Sequence, residues 1–202
     1  MTKNRLEAFS DGVLAIIITI MVLELKVPHT PDINALQPLI PVLLSYVLSF
    51  LYIGIYWNNH HHLLHAAKKV NGGILWANLH LLFWLSLFPF VTGWMGENHF
   101  EQTPTLIYGT ILLLAAIAYY ILQTLIVKTL EKDSLLIKAI GKDIKGKASP
   151  ILYLTAILLV FVSPLITQCI YVLVALIWLV PDKRIEKTYY DSNHKSQNKI
   201  IE

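Results

Sequence analysis

The sequence predicts an all-α, polytopic membrane protein with six transmembrane helices. Only 14% of its 202 residues are charged, whereas a soluble domain carries about 25%. Mean hydropathy is +0.58, and the charges cluster between long uncharged runs. This pattern is typical of a chain that crosses a bilayer several times. It argues against a nucleic-acid-binding protein, and no nucleic-acid partner is expected.

Six apolar segments approach the length of a span, which is about 20 residues for an α-helix. The last two are short, and Pro164 lies where one would pass into the other. Because proline cannot continue a helix, it predicts a hairpin; one kinked, buried helix is the alternative. The segments are residues 9–26, 36–58, 73–95, 104–127, 149–165 and 166–181, within a predicted transmembrane domain of residues 1–182.

The distribution of basic residues favours six spans over five. With six spans, both ends of the chain share one side, and 15 of the 16 Lys and Arg residues lie there. Only Lys26 falls on the other side. The positive-inside rule then predicts a cell-membrane protein with both termini in the cytoplasm. The remaining residues, 183–202, are predicted to form a polar cytoplasmic tail.

The fourth connection, residues 131–148, mixes lysines with leucine and isoleucine. Such a pattern fits an amphipathic helix on the inner membrane surface. A solvated basic loop fits it equally well, and the sequence leaves both interpretations open.

The first span carries unusual polar residues at its beginning. Arg5, Ser10 and Asp11 precede an otherwise apolar run. Ionisable groups at membrane depth are costly, so they usually face protein or water and serve a function. An ordinary buried helix with a hydrogen-bonded Asp also fits the pattern.

Helical periodicity separates two faces of this span. At about 100° per residue, Thr19, Ile20 and Leu23 lie within about 60° of Ile16. Asp11 lies about 140° from Ile16 by the same count. One face therefore offers stacked aliphatic side chains with one hydroxyl, and Asp11 points towards neighbouring helices.

Arg5, Phe9, Ser10 and Asp11 form the signature Arg-x-x-x-Phe-Ser-Asp. This signature resembles the first helix of the transmembrane protein 175 family, potassium channels of bacteria and of animal lysosomes and endosomes. Three later elements also resemble the family: the run Trp57-Asn58-Asn59-His60-His61, Asn78, and Pro89-Phe90. The resemblance covers the first three helices, whereas the last three match only in hydropathy.

The resemblance implies a potassium-selective channel that passes potassium as a passive leak. In that family, the first helix of each subunit lines a central pore, and a homotetramer is expected. Rings of large aliphatic side chains form the narrowest points in place of a backbone-carbonyl filter. The matching positions are Ile16, Ile20 and Leu23, with Thr19 at the family's threonine position. No cofactor is implied beyond the permeant potassium ion, and the partners are lipid and further copies.

The end of the second helix and the start of the third lie at the depth of Asp11, because the first two helices run in opposite directions. A buried Asp needs hydrogen-bond donors. The candidate donors are Trp76, Asn58, His61, Asn78 and His80. We interpret the polar residues at this depth as a structural clamp that holds the first helix at the pore. Its predicted members are Arg5, Phe9, Ser10, Asp11, Trp57, Asn58, His61, Asn78 and His80.

Two other functions fit parts of the sequence. His60, His61, His62 and His65 suggest a histidine-metal membrane enzyme, but no acidic residue lies between Tyr46 and Val70 to complete a metal site. A small secondary transporter would be expected to show repeats and several broken helices; here only Pro164 breaks a span. We therefore predict a channel without a bound metal, and not an enzyme.

Overall fold

The computed structural model describes residues 2–130 and 144–179. Within these ranges the chain is helical, so the predicted all-α fold is confirmed. Two short 3-10 segments, Val22–Glu24 and Ile33–Leu39, follow α1 and precede α2. The helices are α1 Lys3–Met21, α2 Ile40–Ala66, α3 Gly72–Ser86, α4 Phe88–Glu97, α5 Gln102–Val127, α6 Ile144–Leu159 and α7 Pro164–Leu179.

Four helical stretches are long and apolar enough to cross a membrane, which makes this a multi-pass membrane protein. They are Lys3–Glu24, Ile33–Ala66, Gly72–Glu97 and Gln102–Val127. Helices α6 and α7 have 16 residues each, so a total of six spans stays a prediction. The predicted surface segment falls largely on residues 131–143, and the predicted tail falls on residues 183–202; both lie outside the described residues.

Several helix ends differ from the predicted spans, and α6, for example, covers Ile144–Leu159 where residues 149–165 were predicted. Helix α1 begins at Lys3, before the predicted start at residue 9, and α2 continues to Ala66, past the predicted end at residue 58. Hydropathy detects only the apolar part of a helix, whereas backbone hydrogen bonding continues through polar residues. The third span is divided at Leu87 into α3 and α4, with Pro89 in the first turn of α4. Proline is tolerated there because the first-turn N–H groups have no helical acceptor.

The most tightly packed part of the bundle is formed by the helices other than α1. Helix α5 lies against α3, α4, α6 and α7, and α2 packs on α4. Gly109 of α5 lets Tyr171 of α7 approach so closely that a Cβ at this position would lie 1.8 Å from the tyrosine oxygen. Buried hydroxyls join α2, α4 and α5. Thr92 of α4 donates to Ser49 of α2 over 2.6 Å, and Ser49 pairs with Tyr108 of α5 over 3.0 Å.

Helix α1 buries only one of its faces. That face packs against α2, α3 and α4. Its spacing of three and four residues is that of one helical stripe. The buried residues are Leu6, Ser10, Leu14, Ile17 and Met21. The opposite face of α1 is left uncovered by the described parts of the chain.

Candidate pore face and polar clamp

The uncovered face of α1 contains the four residues predicted to line a pore. Ile16, Ile20 and Leu23 are 57%, 44% and 75% exposed, and Thr19 between them is also exposed. The Thr19 hydroxyl donates to the carbonyls of Ala15 and Ile16 over 3.0 and 2.9 Å. Its donor is thus satisfied within the helix, and the oxygen lone pairs remain available to a ligand.

The two sides of α1 differ sharply at neighbouring positions. Ile17 is only 4% exposed, although it follows the largely exposed Ile16. Ile18 is partly buried and packs against the hydrophobic core. The exposed face of α1 is the face that helical periodicity groups around Ile16.

Asp11 connects α1 to α2. Its carboxylate accepts a hydrogen bond from the indole Nε1 of Trp57 over 3.1 Å. The sequence suggested five other donors, and among the described residues none of them bonds to Asp11; Asn78 donates instead to Ser10. Trp57 lies within α2 (Ile40–Ala66), so this hydrogen bond joins α1 directly to α2.

A buried chain of three side chains ties α1, α2 and α3 together. Asn78 Nδ2 donates to Ser10 Oγ over 2.9 Å, and His60 Nε2 donates to Asn78 Oδ1 over 2.6 Å. Ser10 in turn donates to the carbonyl of Leu6 over 2.9 Å. Ser10 and Asn78 are fully buried, and His60 is 2% exposed. A satisfied polar network in such surroundings fixes the relative position of the three helices.

His60 was not among the predicted clamp residues, which included His61 instead. A signal for it was present in the sequence: Ser49, Tyr52, Tyr56 and His60 follow one another at helical spacing, and all four are buried. Extending the second helix past residue 58 would have placed His60 on this buried stripe and His61 off it.

The remaining predicted clamp residues lie apart from this network. Arg5 and Asn58 are exposed, and Phe9 is 48% exposed. The exposed His61 stacks beside Trp57, with ring centroids 6.3 Å apart. His80 accepts a hydrogen bond from Trp84 of its own helix over 2.9 Å.

The start of α1 is also attached to the end of α2. The Lys3 ammonium donates to the carbonyl of His65, in the last turn of α2, and lies 4.0 Å from a carboxylate oxygen of Glu7. A cation at this position satisfies a carbonyl that the helix end leaves open.

The histidine run does not converge on a metal site. Within residues 2–130 and 144–179, no group of three His, Cys, Asp or Glu side chains is arranged to hold a metal ion. His60 is buried against Asn78, whereas His61 and His65 stack on one another at the surface. Helical geometry thus points consecutive histidines in different directions.

Comparison with known proteins identifies related channels. Residues 5–89 match the family model described as endosomal/lysosomal potassium channel TMEM175. A potassium channel of Chryseobacterium sp. (strain P1-3) is 58% identical over 93% of this chain and 98% of its own length. A potassium channel of Streptomyces collinus is 32% identical over 58% of this chain and 61% of its own.

A solved structure extends the similarity beyond the first three helices. It is the crystal structure of a lysosomal potassium-selective channel TMEM175 homolog from Chamaesiphon minutus, with a TM-score of 0.77 and 29% identity. The match covers 89% of this chain and 97% of that chain. Human TMEM175, named an endosomal/lysosomal proton channel, is 35% identical over 41% of this chain and only 19% of its own length. Sequence signature, near full-length similarity and matching fold agree, and this chain belongs to the TMEM175 family of channels.

Proposed function

We propose that this protein is a potassium channel that lets potassium leak passively across the cell membrane. The observation that carries the proposal is the uncovered aliphatic face of α1, with Thr19 in its middle. Relatives similar over nearly the whole chain are named potassium channels or potassium-selective. The animal relatives named proton channels match only a small part of their own length, so they carry less weight.

The pore of this channel is formed by α1 from four copies of the chain. One exposed helix face cannot enclose a pathway, whereas a closed ring of identical subunits can. Ile16, Ile20 and Leu23 then form successive aliphatic rings, and Thr19 forms a hydroxyl ring. An aliphatic constriction limits ion size and can close by losing its water, so no carbonyl filter is required.

The channel domain occupies residues 1–182, with six spans and both termini in the cytoplasm. The clustering of 15 of 16 basic residues on one side supports this orientation. Residues 183–202 form the cytoplasmic tail. In this arrangement the start of α1 faces the cytoplasm, and the end of the first span at Glu24 faces outwards.

The clamp residues hold α1 in register against α2 and α3. Ser10, Asp11, Trp57 and Asn78 act through the hydrogen bonds described above, together with His60. Arg5, Phe9, Asn58, His61 and His80 lie exposed in the protomer, where a neighbouring copy would be within their reach. In the tetramer, these five residues form contacts between subunits.

Ion flux through the purified protein tests the proposed function directly. Vesicles containing the protein should release potassium down its gradient without ATP or a counter-transported solute, and should pass sodium more slowly. Proton flux is measured in the same vesicles, because the animal relatives are named proton channels. Strict coupling to protons or to another solute would instead indicate a transporter, and flux absent in all conditions would overturn the proposal.

Ile16→Ala tests the position of the constriction. Removing most of the side chain should widen and wet the narrowest ring, so sodium permeation should rise relative to potassium. Ile16→Asn should act in the same direction because its amide supplies polar ligands. Ile18→Ala is the control, since Ile18 packs against the core. Reversal potentials in mixed potassium and sodium decide the matter: an altered ratio in Ile18→Ala together with a normal ratio in Ile16→Ala would place the pore on a different face.

A further inference from the structure

The segment that follows α1 is docked onto α4 by two side chains. The carboxylate of Glu24 lies against Gly93 so closely that a Cβ on the glycine would be 2.7 Å from a Glu24 oxygen. One helical turn further along α4, Glu97 forms a hydrogen-bonded ion pair with Lys26. Gly93 and Glu97 are four residues apart and so lie on one face of α4. This face receives the chain directly after the proposed pore helix.

The ion pair lies beside an open cavity of about 360 Å³. Two carboxylates and one ammonium line it, and pairing of Lys26 with Glu97 leaves the Glu24 carboxylate as the remaining charge. Glu24, Lys26, Leu39, Val42, Glu97 and His99 are among its lining residues. Lys26 is the only Lys or Arg residue on this side in the six-span topology.

Lys26 has an unusual location for a cation channel. It lies three residues beyond Leu23, the last residue of the exposed aliphatic face. Four copies of the ammonium released near a pore mouth would repel potassium, because like charges about 10 Å apart still interact measurably in water. The hydrogen bond and charge of Glu97 raise the pKa of Lys26, so pairing keeps the ammonium charged but bound to α4.

We propose that Glu97 is a positioning residue for ion permeation, which holds the Lys26 ammonium on α4 and away from the outer mouth of the pore. The proposal rests on the proposed channel function and on its pore helix. Stability is not the reason for the pair: the Lys26 and Glu97 side chains are 73% and 43% exposed, and exposed pairs contribute little to folding. Glu97→Gln should therefore fold normally and leave Lys26 free to move towards the pore.

Single-channel conductance tests the proposal in four proteins: wild type, Glu97→Gln, Lys26→Gln and the double variant. In Glu97→Gln, inward potassium conductance should fall by about two- to tenfold at roughly 20 mM salt and much less at roughly 500 mM, since salt screens the released charge. In the Lys26→Gln background, Glu97→Gln should have little further effect. Glu101→Gln is the control, because it removes another exposed carboxylate, four residues after Glu97 and just before α5.

Chemical labelling tests the ion pair without relying on conductance. An amine-reactive reagent attacks the neutral form of lysine, so Lys26 in vesicles should react several-fold faster in Glu97→Gln than in wild type, as measured by mass spectrometry.

The outcomes separate this proposal from the channel function. A wild type without potassium flux overturns the proposed function and this proposal with it. A conducting wild type whose Glu97→Gln conductance is unchanged, or falls equally with and without Lys26, overturns only the positioning role. Equal labelling of Lys26 in both proteins also overturns it.

Discussion

Replacing Asn78 by leucine should weaken the fold by an amount that its hydrogen bonds allow us to estimate. The change keeps a similar volume but removes an amide that bonds both Ser10 and His60. Each bond contributes about 0.5–1.5 kcal/mol, and a stranded buried donor on His60 costs about 1–3 kcal/mol more. Ser10 keeps its bond to the Leu6 carbonyl, so its loss is small.

The expected decrease in the free energy of unfolding is about 2–4 kcal/mol, which is a roughly 30- to 1000-fold change in the folded-to-unfolded ratio. Hydrogen bonds between membrane helices contribute about 0.6 kcal/mol each on average, near the lower end of the range used per bond. We therefore expect a total in the lower half of the 2–4 kcal/mol range, about 2–3 kcal/mol. Denaturant unfolding in detergent micelles, followed by near-ultraviolet circular dichroism, measures it. The exposed Asn4→Leu is the control and should change stability by less than about 0.5 kcal/mol.

A double-mutant cycle then tests the physical reason. When both partners of a buried hydrogen bond become apolar, neither is left unsatisfied. The double variant His60→Leu/Asn78→Leu should therefore be more stable than the sum of the single changes predicts, by about 0.5–3 kcal/mol. Additive effects within about 0.5 kcal/mol would refute the network as a source of stability.

Two further variants probe packing and assembly. Gly109→Ala should lower stability by about 1–3 kcal/mol through overpacking, because the new Cβ would meet the Tyr171 hydroxyl. Gly54→Ala is its control: a Cβ at residue 54 would meet no neighbouring side chain within 4 Å, so stability should stay equal or rise by up to about 1 kcal/mol. Thermal unfolding followed by circular dichroism compares the two variants. Asp11→Asn should reduce the tetramer fraction seen by native mass spectrometry more than it changes the potassium-to-sodium ratio, since Asp11 bonds to Trp57; a normal tetramer with a changed ratio would place Asp11 in the pore.

The parts of the fold set by local patterns could be predicted from the sequence. Helical periodicity placed Thr19, Ile20 and Leu23 on one face of α1 with Ile16. The family resemblance implied that this face lines a pore, and the structure leaves the face exposed. Pro164 predicted a break, and α7 begins at that residue. The error at His60 was also local: ending the second helix at residue 58 removed the periodicity that would have marked His60 as buried.

Contacts between distant helices could not be predicted in the same way. Lys26 and Glu97 are 71 positions apart. No periodic pattern in the sequence indicates that the segment after α1 contacts α4. The close approach of Tyr171 to Gly109 depends equally on which helices are neighbours. A lone glycine in an apolar span is compatible with many packings, so only the three-dimensional arrangement shows that this one admits a tyrosine.

Neighbouring residues of α1 lie on opposite faces of the helix, one face packed in the fold and the other proposed to line the pore. Ile17 is 4% exposed and Ile16 is 57% exposed, so removing the Ile17 side chain leaves a cavity, whereas removing the Ile16 side chain leaves open space. Ile17→Ala should cost about 2–5 kcal/mol of stability, and Ile16→Ala a small part of that. If Ile16 lines the pore, the order of effects on ion selectivity should be reversed. Measuring unfolding and reversal potential on both variants therefore tests the assignment of the two faces independently. Parallel effects of the two variants on both properties would mean that α1 has no separate pore face.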